Sequence, residues 1–334
     1  MSGLKKILAL ITPDEARDFL PEPLWSELAR MGAPFQHINP LDLDDAATRR
    51  MLETVNPEII IAAWKTSALP FPAPADLKYV CYLCGSVKKL VTRAHLDHGL
   101  LVTNWGGSIS RIVAEWALFH ILSCLRRATG WALAMHLEQG WKDGGTETAS
   151  LFGRKVGIHG FGMVTRELIA LLKPFSADIQ VCAPDVDAVV EKTYGITRSP
   201  SLDALFAEND IIVELAPLIP ETTGVVTERL LRRIRPGGVF VNVGRGAVVD
   251  EAALLKVARE GKLQIGLDVF TEEPLPPDSP FRGLRNVTLT PHLAGPTTDR
   301  RCDAGRFAMA NLRAYLQGGP LQAVVTPGVF DRSS

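Results

Sequence analysis

Short apolar runs of strand length alternate with helix-like stretches along most of this chain, and no other feature constrains the fold as much. In the first third the runs are residues 6–12, 35–38, 58–63, 78–83 and 100–103, with helix-like stretches such as 23–31 and 44–55 between them. A second series has strands expected at 155–159, 179–183, 211–215, 238–241, 265–269 and 287–290, and helices near 163–172, 202–208, 227–234 and 250–260. Strands joined through helices pair in parallel, and a parallel sheet must be covered on both faces. The expectation is an α/β protein with two doubly wound parallel-sheet domains. A last helix is expected at 299–316, stopped by Gly318-Gly319-Pro320. Residues 110–127 read as one long helix, apolar over so much of its surface that it belongs at a domain or subunit boundary. Residues 129–150, with Trp131, Trp141 and the pair Gly144-Gly145, read as a polar excursion outside the core.

Composition narrows the class. A length of 334 residues suits about two domains, and 46% apolar residues suffice for packed cores. With 36 Lys+Arg against 37 Asp+Glu, there is no electrostatic case for nucleic acid or an anionic membrane surface. No stretch approaches the roughly 20 apolar residues that span a bilayer. The apolar run at 7–11 is short for a signal-peptide core, and Pro13-Asp14-Glu15 follows where a cleavage site would stand. The five cysteines, Cys81, Cys84, Cys124, Cys182 and Cys302, are odd in number and scattered, as reduced core thiols are. Cys81-x-x-Cys84 lacks a second pair, so no metal is expected. A cytoplasmic location is implied.

The strand at 155–159 runs into Gly160-Phe161-Gly162-Met163-Val164-Thr165, and an amphipathic helix follows. The first Gly permits a tight turn, and the second lets backbone approach a pyrophosphate. The helix start then offers free N–H groups at the positive end of its dipole. Thr165 takes the third position, where Gly or Ala normally allows close helix–strand packing. The match is partial, but its setting among six strands points to dinucleotide binding. An acid about 20 residues past the glycines would bond the adenosine ribose of NAD. The next strand ends Val181-Cys182-Ala183-Pro184-Asp185, which puts Asp185 23 residues after Gly162 but beyond Pro184.

At this point the chain resembles the D-isomer-specific 2-hydroxyacid dehydrogenases over about residues 50–316. The resemblance rests on five blocks in order: 156–164 (VGIHGFGMV), 215–224 (LAPLIPETTG), 240–254 (FVNVGRGAVVDEAAL), 266–275 (GLDVFTEEPL) and 289–295 (LTPHLAG). It implies two flavodoxin/Rossmann-like domains with a cleft between them. Residues 1–104 plus 299–334 would form the substrate domain, with a dinucleotide-binding domain inserted at 105–298. It implies an NAD(P)-dependent enzyme that interconverts a small 2-oxo acid and its D-2-hydroxy acid by hydride transfer. The catalytic trio it implies is Arg245, Glu273 and His292. Hydride addition to a carbonyl carbon needs a proton on the oxygen, and imidazole suits that transfer near neutrality. Glu273 would orient the ring and stabilise the imidazolium, while Arg245 would hold the substrate carboxylate and polarise the carbonyl. The resemblance also carries cofactor contacts onto Ala216, Pro217 and Thr222, onto Val243 and Gly244, and onto Asp268 and Gly295. Asp268 would bond the nicotinamide carboxamide. A homodimer through the cofactor domains is implied as well.

The chain departs from the family pattern in places. The substrate-carboxylate loop reads Cys84-Gly85-Ser86-Val87-Lys88, with Lys88 where an acid is more usual, so that it faces either solvent or an extra anionic group on the substrate. Trp105 replaces a smaller residue near the cleft. Counting from the glycine loop puts Ala183 where NAD-preferring members carry Asp; a two-residue insertion before the strand would put Asp185 there. NAD and NADP both stay open. His159, inside the first cofactor strand, is expected as a packed core residue. The alternative to an enzyme is a nucleotide-binding corepressor or sensor, which has no need of a proton donor paired with a carboxylate. A formate oxidiser on this fold would carry Gln beside the His, where this chain has Glu273.

Overall fold

The computed structural model describes residues 5–31, 34–143 and 147–332. The chain divides into two compact units, Met1–Ile109 with Pro296–Ser334, and Ser110–Gly295.

In the first unit, strands β1 (Ile7–Leu10), β2 (Phe35–Ile38), β3 (Ile59–Ala62), β4 (Tyr79–Tyr82) and β5 (Leu101–Thr103) pair in parallel in the order β2-β1-β3-β4-β5. Every residue of β1, β3 and β4 is buried. Strands covered on both faces need apolar side chains at consecutive positions rather than alternate ones. The helix Arg301–Leu316 returns to this unit and packs on β4 and on the helix Pro13–Phe19. Arg313 holds Glu27 through two bonds of 2.6 and 2.7 Å, and Arg301 holds Asp18 at 2.6 Å.

In the second unit, β6 (Lys155–His159), β7 (Asp178–Cys182), β8 (Thr197–Arg198), β9 (Ile211–Glu214), β10 (Val239–Asn242), β11 (Gln264–Leu267) and β12 (Val287–Leu289) form one parallel sheet in the order β12-β11-β10-β9-β6-β7-β8. Among the described residues this sheet has seven strands, not the expected six. The extra one, β8, is two exposed residues on the edge, too short to leave any periodicity. The stretch expected as a polar excursion begins as the helix Ala128–Leu137, tied to β12 by a 2.8 Å bond between the hydroxyls of Thr129 and Thr288. Beyond that anchor Leu137 and Trp141 are each 73% exposed. Gly144 and Gly145 lie outside the described residues.

Strand order reverses direction at β6, with β7 on one side and β9 on the other. The loops leaving β6 and β9 therefore part to opposite faces and open a crevice at the C-terminal edge. Gly160 sits at that point with φ +94°. A Cβ there would lie 2.9 Å from the Cα and N of Ala216 and from the carbonyl oxygen of Leu215. Conformation and space both demand glycine. Gly162, the N-cap of the helix Met163–Leu172, has φ −84° and open space where its Cβ would be. Gly160→Ala should cost about 1–3 kcal/mol in chemical denaturation, the usual penalty of overpacking. Gly162→Ala should cost about 1 kcal/mol or less, as loss of a cap does. Equal costs at the two positions would contradict this account of the crossover.

Candidate active site

The loop after β6 is built for an anion. Gly162 starts the helix Met163–Leu172 with no side-chain cap bond and with open space where its Cβ would be, which fits a dinucleotide diphosphate approaching the helix start. The third position of the motif works without glycine because Thr165 is fully buried and donates its hydroxyl to the Gly160 carbonyl at 3.0 Å. Phe161 is buried against Tyr194, and the Arg166 guanidinium stacks over both rings. Met163 is exposed and Val164 half-buried. His159 is buried as expected, but it pairs with Glu214 of β9 rather than with apolar neighbours.

At the tip of β7, register sets Cys182 opposite His159, and the Gly160 N–H bonds the Cys182 carbonyl at 3.0 Å. Ala183 is the first residue past the strand, level with the glycine loop. Asp185 lies farther on, in an exposed turn, and Asp187 caps the helix Ala188–Tyr194. After β9, Ala216 is buried. The Thr222 hydroxyl is used within its own loop, accepting from Ile219 N at 2.9 Å and donating to the Pro217 carbonyl.

Three loops bring the expected trio to one edge. After β10, the Asn242 side chain accepts from Gly244 N and donates to the Arg245 carbonyl, each at 3.0 Å, which fixes the turn. Val243 is buried beneath it. Arg245 donates from Nη1 to the Gly244 carbonyl at 2.8 Å. Burial pulls its pKa down from the usual range, and the Glu273 carboxylate opposes that shift. A Cβ on Gly246 would fall 2.1–2.6 Å from backbone atoms of Phe270 and Thr271. That close approach brings the Arg245 turn against the segment leading to Glu273. Glu273 accepts from Phe270 N at 3.0 Å and from His292 Nδ1 at 2.7 Å. The His292 side chain remains 49% exposed. A cavity of about 560 Å³ borders the pair, walled by Phe270, Leu275, Leu289 and Pro291.

His292 has φ +54°, an unusual conformation for a residue with a side chain. Asp268 holds it there. The Asp268 carbonyl accepts from His292 N at 2.9 Å. Its buried carboxylate accepts from Trp116 Nε1 (3.0 Å), Thr290 Oγ1 (2.6 Å), Leu293 N (2.9 Å) and Ala294 N (2.8 Å). Beside Thr290 lies His120, fully buried, its Nε2 2.9 Å from the Thr290 hydroxyl. Thr290 gives its proton to Asp268, so Nε2 carries the imidazole hydrogen. Trp116, His120 and Thr290 escaped the sequence reading because their roles depend on contacts across 22 to 170 residues. Gly295 ends this unit, with open space where its Cβ would be.

In the first unit, the loop after β4 carries the expected substrate residues. Cys84 is buried, with its thiol pKa pushed well up by burial. The Trp105 ring lies so close over Gly85 that a Cβ there would be 2.8–2.9 Å from it. Trp105 N bonds the Cys84 carbonyl at 3.1 Å, and its ring meets Trp64 edge-on at 6.0 Å. Ser86 and Lys88 are exposed, with the Lys88 ammonium 5.8 Å from the Phe330 ring centre.

Burial lowers the His120 pKa from 6.5 to about 4, against the pull of Asp268. The folded chain therefore holds this imidazole neutral where the unfolded chain would protonate it. Its contribution to stability is complete above pH 6.5 and is lost as pH falls toward 4, by on the order of 3 kcal/mol. Stability measured across that window should fall less steeply in His120→Phe. Parallel slopes in the two proteins would refute the assignment.

Comparison with known proteins identifies the family. The profile of the D-isomer specific 2-hydroxyacid dehydrogenase NAD binding domain matches residues 118–294. A glyoxylate reductase of Aeropyrum pernix is 34% identical over 227 residues, 66% of this chain and 68% of that protein. A D-3-phosphoglycerate dehydrogenase of Mycobacterium leprae is 32% identical over 277 residues, 82% of this chain and 49% of that protein. The D-mandelate dehydrogenase of Rhodotorula graminis shares the fold, with a TM-score of 0.82 at 24% identity, over 96% of this chain and 97% of that one. The chain belongs to the D-isomer-specific 2-hydroxyacid dehydrogenases, NAD(P)-dependent oxidoreductases, and its NAD-binding domain lies within Ser110–Gly295.

Proposed function

We propose that this protein reduces the carbonyl of a small 2-oxo acid to the D-2-hydroxy acid, with His292 as proton donor. The observation that carries this reading is the 2.7 Å bond between His292 Nδ1 and Glu273, on a ring that is half exposed. Glu273 accepts the Nδ1 hydrogen, so Nε2 is the nitrogen turned to substrate. The carboxylate stabilises the imidazolium before transfer and keeps the ring's orientation after it. Arg245 binds the substrate carboxylate and polarises the carbonyl oxygen, a role suited to a partly desolvated guanidinium. A bound nicotinamide supplies the hydride. The N–H groups following Gly162 would hold the diphosphate, Ala183 and the loop from Ala216 to Thr222 would border the adenosine, and Val243, Gly244, Asp268 and Gly295 would hold the nicotinamide. Within the first unit, the backbone of Gly85 and Ser86, with Trp105 walling the loop and Lys88 beside it, is suited to an anionic group of the substrate. A protein that only sensed a dinucleotide would have no use for a carboxylate-oriented imidazole.

We further take the working form to be a cytoplasmic homodimer joined through the cofactor domains. Supporting this, Phe119, Met135 and Leu137 leave apolar surface open on the helices Ser110–Leu125 and Ala128–Leu137. Light scattering at micromolar concentration should return twice the chain mass, and a strict monomer would end this part of the reading.

His292→Ala should reduce turnover of a 2-oxo acid by about 10² to 10⁴ while cofactor affinity changes little. Near-normal turnover would remove His292 from the chemistry. At the ribose, Ala183 leaves no carboxylate to repel a 2′-phosphate, so NADPH should be accepted. Ala183→Asp should lower kcat/KM for NADPH relative to NADH by roughly tenfold or more, equal to about 1.4 kcal/mol. An unchanged ratio would show that Ala183 does not face the ribose.

A further inference from the structure

Directly beneath the crossover, register aligns three side chains at the ends of neighbouring strands: Cys182 of β7, His159 of β6 and Glu214 of β9. Glu214 is 0% exposed, and its carboxylate meets two partners, one at each oxygen. Oε2 meets His159 Nδ1 at 2.7 Å, and Oε1 accepts from Ala216 N at 2.8 Å. His159 immediately precedes Gly160, and Ala216 is the residue a Gly160 side chain would strike. One carboxylate thus joins the two loops that flank the dinucleotide crevice. The reduction chemistry makes no use of this pair.

We propose that His159 and Glu214 form a proton-dependent latch at the crossover, positioning residues that keep the cofactor-binding loops together while the imidazole is charged. Charge explains why the proton matters. An imidazolium–carboxylate pair is neutral overall. Once His159 loses its proton, Glu214 stands as an uncompensated buried anion just below a loop that must bind a diphosphate. Such a charge is costly in itself and repels the ligand. The titratable groups facing the imidazole are Glu214 from β9 and Cys182 from β7, with Arg198 of β8 acting on that thiol. Burial pulls the His159 pKa down, but the charge and hydrogen bond of Glu214 outweigh it, so the net shift is upward from 6.5. The latch is therefore complete below pH 6.5 and weakens as pH rises through the raised value. By linkage a bound diphosphate favours the proton, so cofactor affinity falls over the same range.

This inference rests on the crevice binding a nicotinamide dinucleotide. The test is the Kd for NADH and for NADPH, read by nicotinamide fluorescence from about pH 6 to pH 9. It is done in a His292→Ala background so that the catalytic imidazole adds no slope. Affinity should weaken about tenfold over that range. Glu214→Gln should flatten the profile. Because one-sided removal of a buried charge can unfold a protein, the double variant His159→Leu with Glu214→Leu is the stronger control, since apolar replacement of a buried pair is commonly tolerated. It should fold, bind, and show no pH dependence. A flat profile in the protein with the pair intact, or an unaltered slope in the double variant, would overturn the latch. Absence of binding at every pH would instead overturn the dinucleotide site, and the latch with it.

Discussion

The buried carboxylate of Asp268 organises the reactive edge. It stands just past β11, and its donors come from the helix Ser110–Leu125 through Trp116 and from the loop after β12 through Thr290, Leu293 and Ala294. A buried carboxylate without partners would cost several kcal/mol, so these donors are a condition of folding rather than a refinement. Meeting that condition forces the chain to reverse around the carboxylate, and His292 lies in the reversal at φ +54°. A non-glycine residue holds such a conformation only when its surroundings over-determine it. The His292 ring is thus aimed by its backbone before Glu273 adds the bond to Nδ1.

The other members of the trio follow from close backbone approach. Gly246 lets the turn carrying Arg245 lie against Phe270 and Thr271. The amide of Phe270 in turn holds one oxygen of Glu273, leaving the other for His292. Distance along the chain is irrelevant to this assembly, because each residue follows a strand that ends at the same edge of the sheet. The same glycine fixes spacing and electrostatics together, since it brings the half-buried Arg245 guanidinium close enough for Glu273 to oppose the lowering of its pKa by burial.

What the sequence revealed, and what it hid, divides along the range of the interactions. The alternation of strands and helices and the glycine loop are local patterns, and the helix at 163–172 coincides with the observed one. The five blocks pointed to Arg245, Glu273 and His292, which the fold brings to one edge, because each sits in a short distinctive stretch. β8 was invisible because two exposed residues on a sheet edge carry no apolar signal. Thr165 looked like a defect, until its hydroxyl proved to bind the loop's own carbonyl. Trp116 and His120 read as residues of the helix at 110–127 and Thr290 as the end of a strand, since only the folded sheet sets them around Asp268. His159 read as core because no local pattern connects it with Glu214, 55 residues away.

Two buried acids at strand ends, Asp268 and Glu214, show different solutions to one problem. Asp268 is surrounded by neutral donors, two of them backbone amides, and these stay in place whatever the pH near neutrality. Glu214 has one backbone amide and an imidazole, so its charge is balanced only while that imidazole keeps its proton. The first arrangement keeps the loop that carries His292 in one geometry, since none of its donors changes charge near neutrality. The second lies under a loop that takes up and releases a dianion, where a movable proton can follow the charge of the ligand. A fixed reactive end and a proton-linked binding end can coexist in one sheet because the two acids sit on different strands, β9 and the end of β11, with β10 between them.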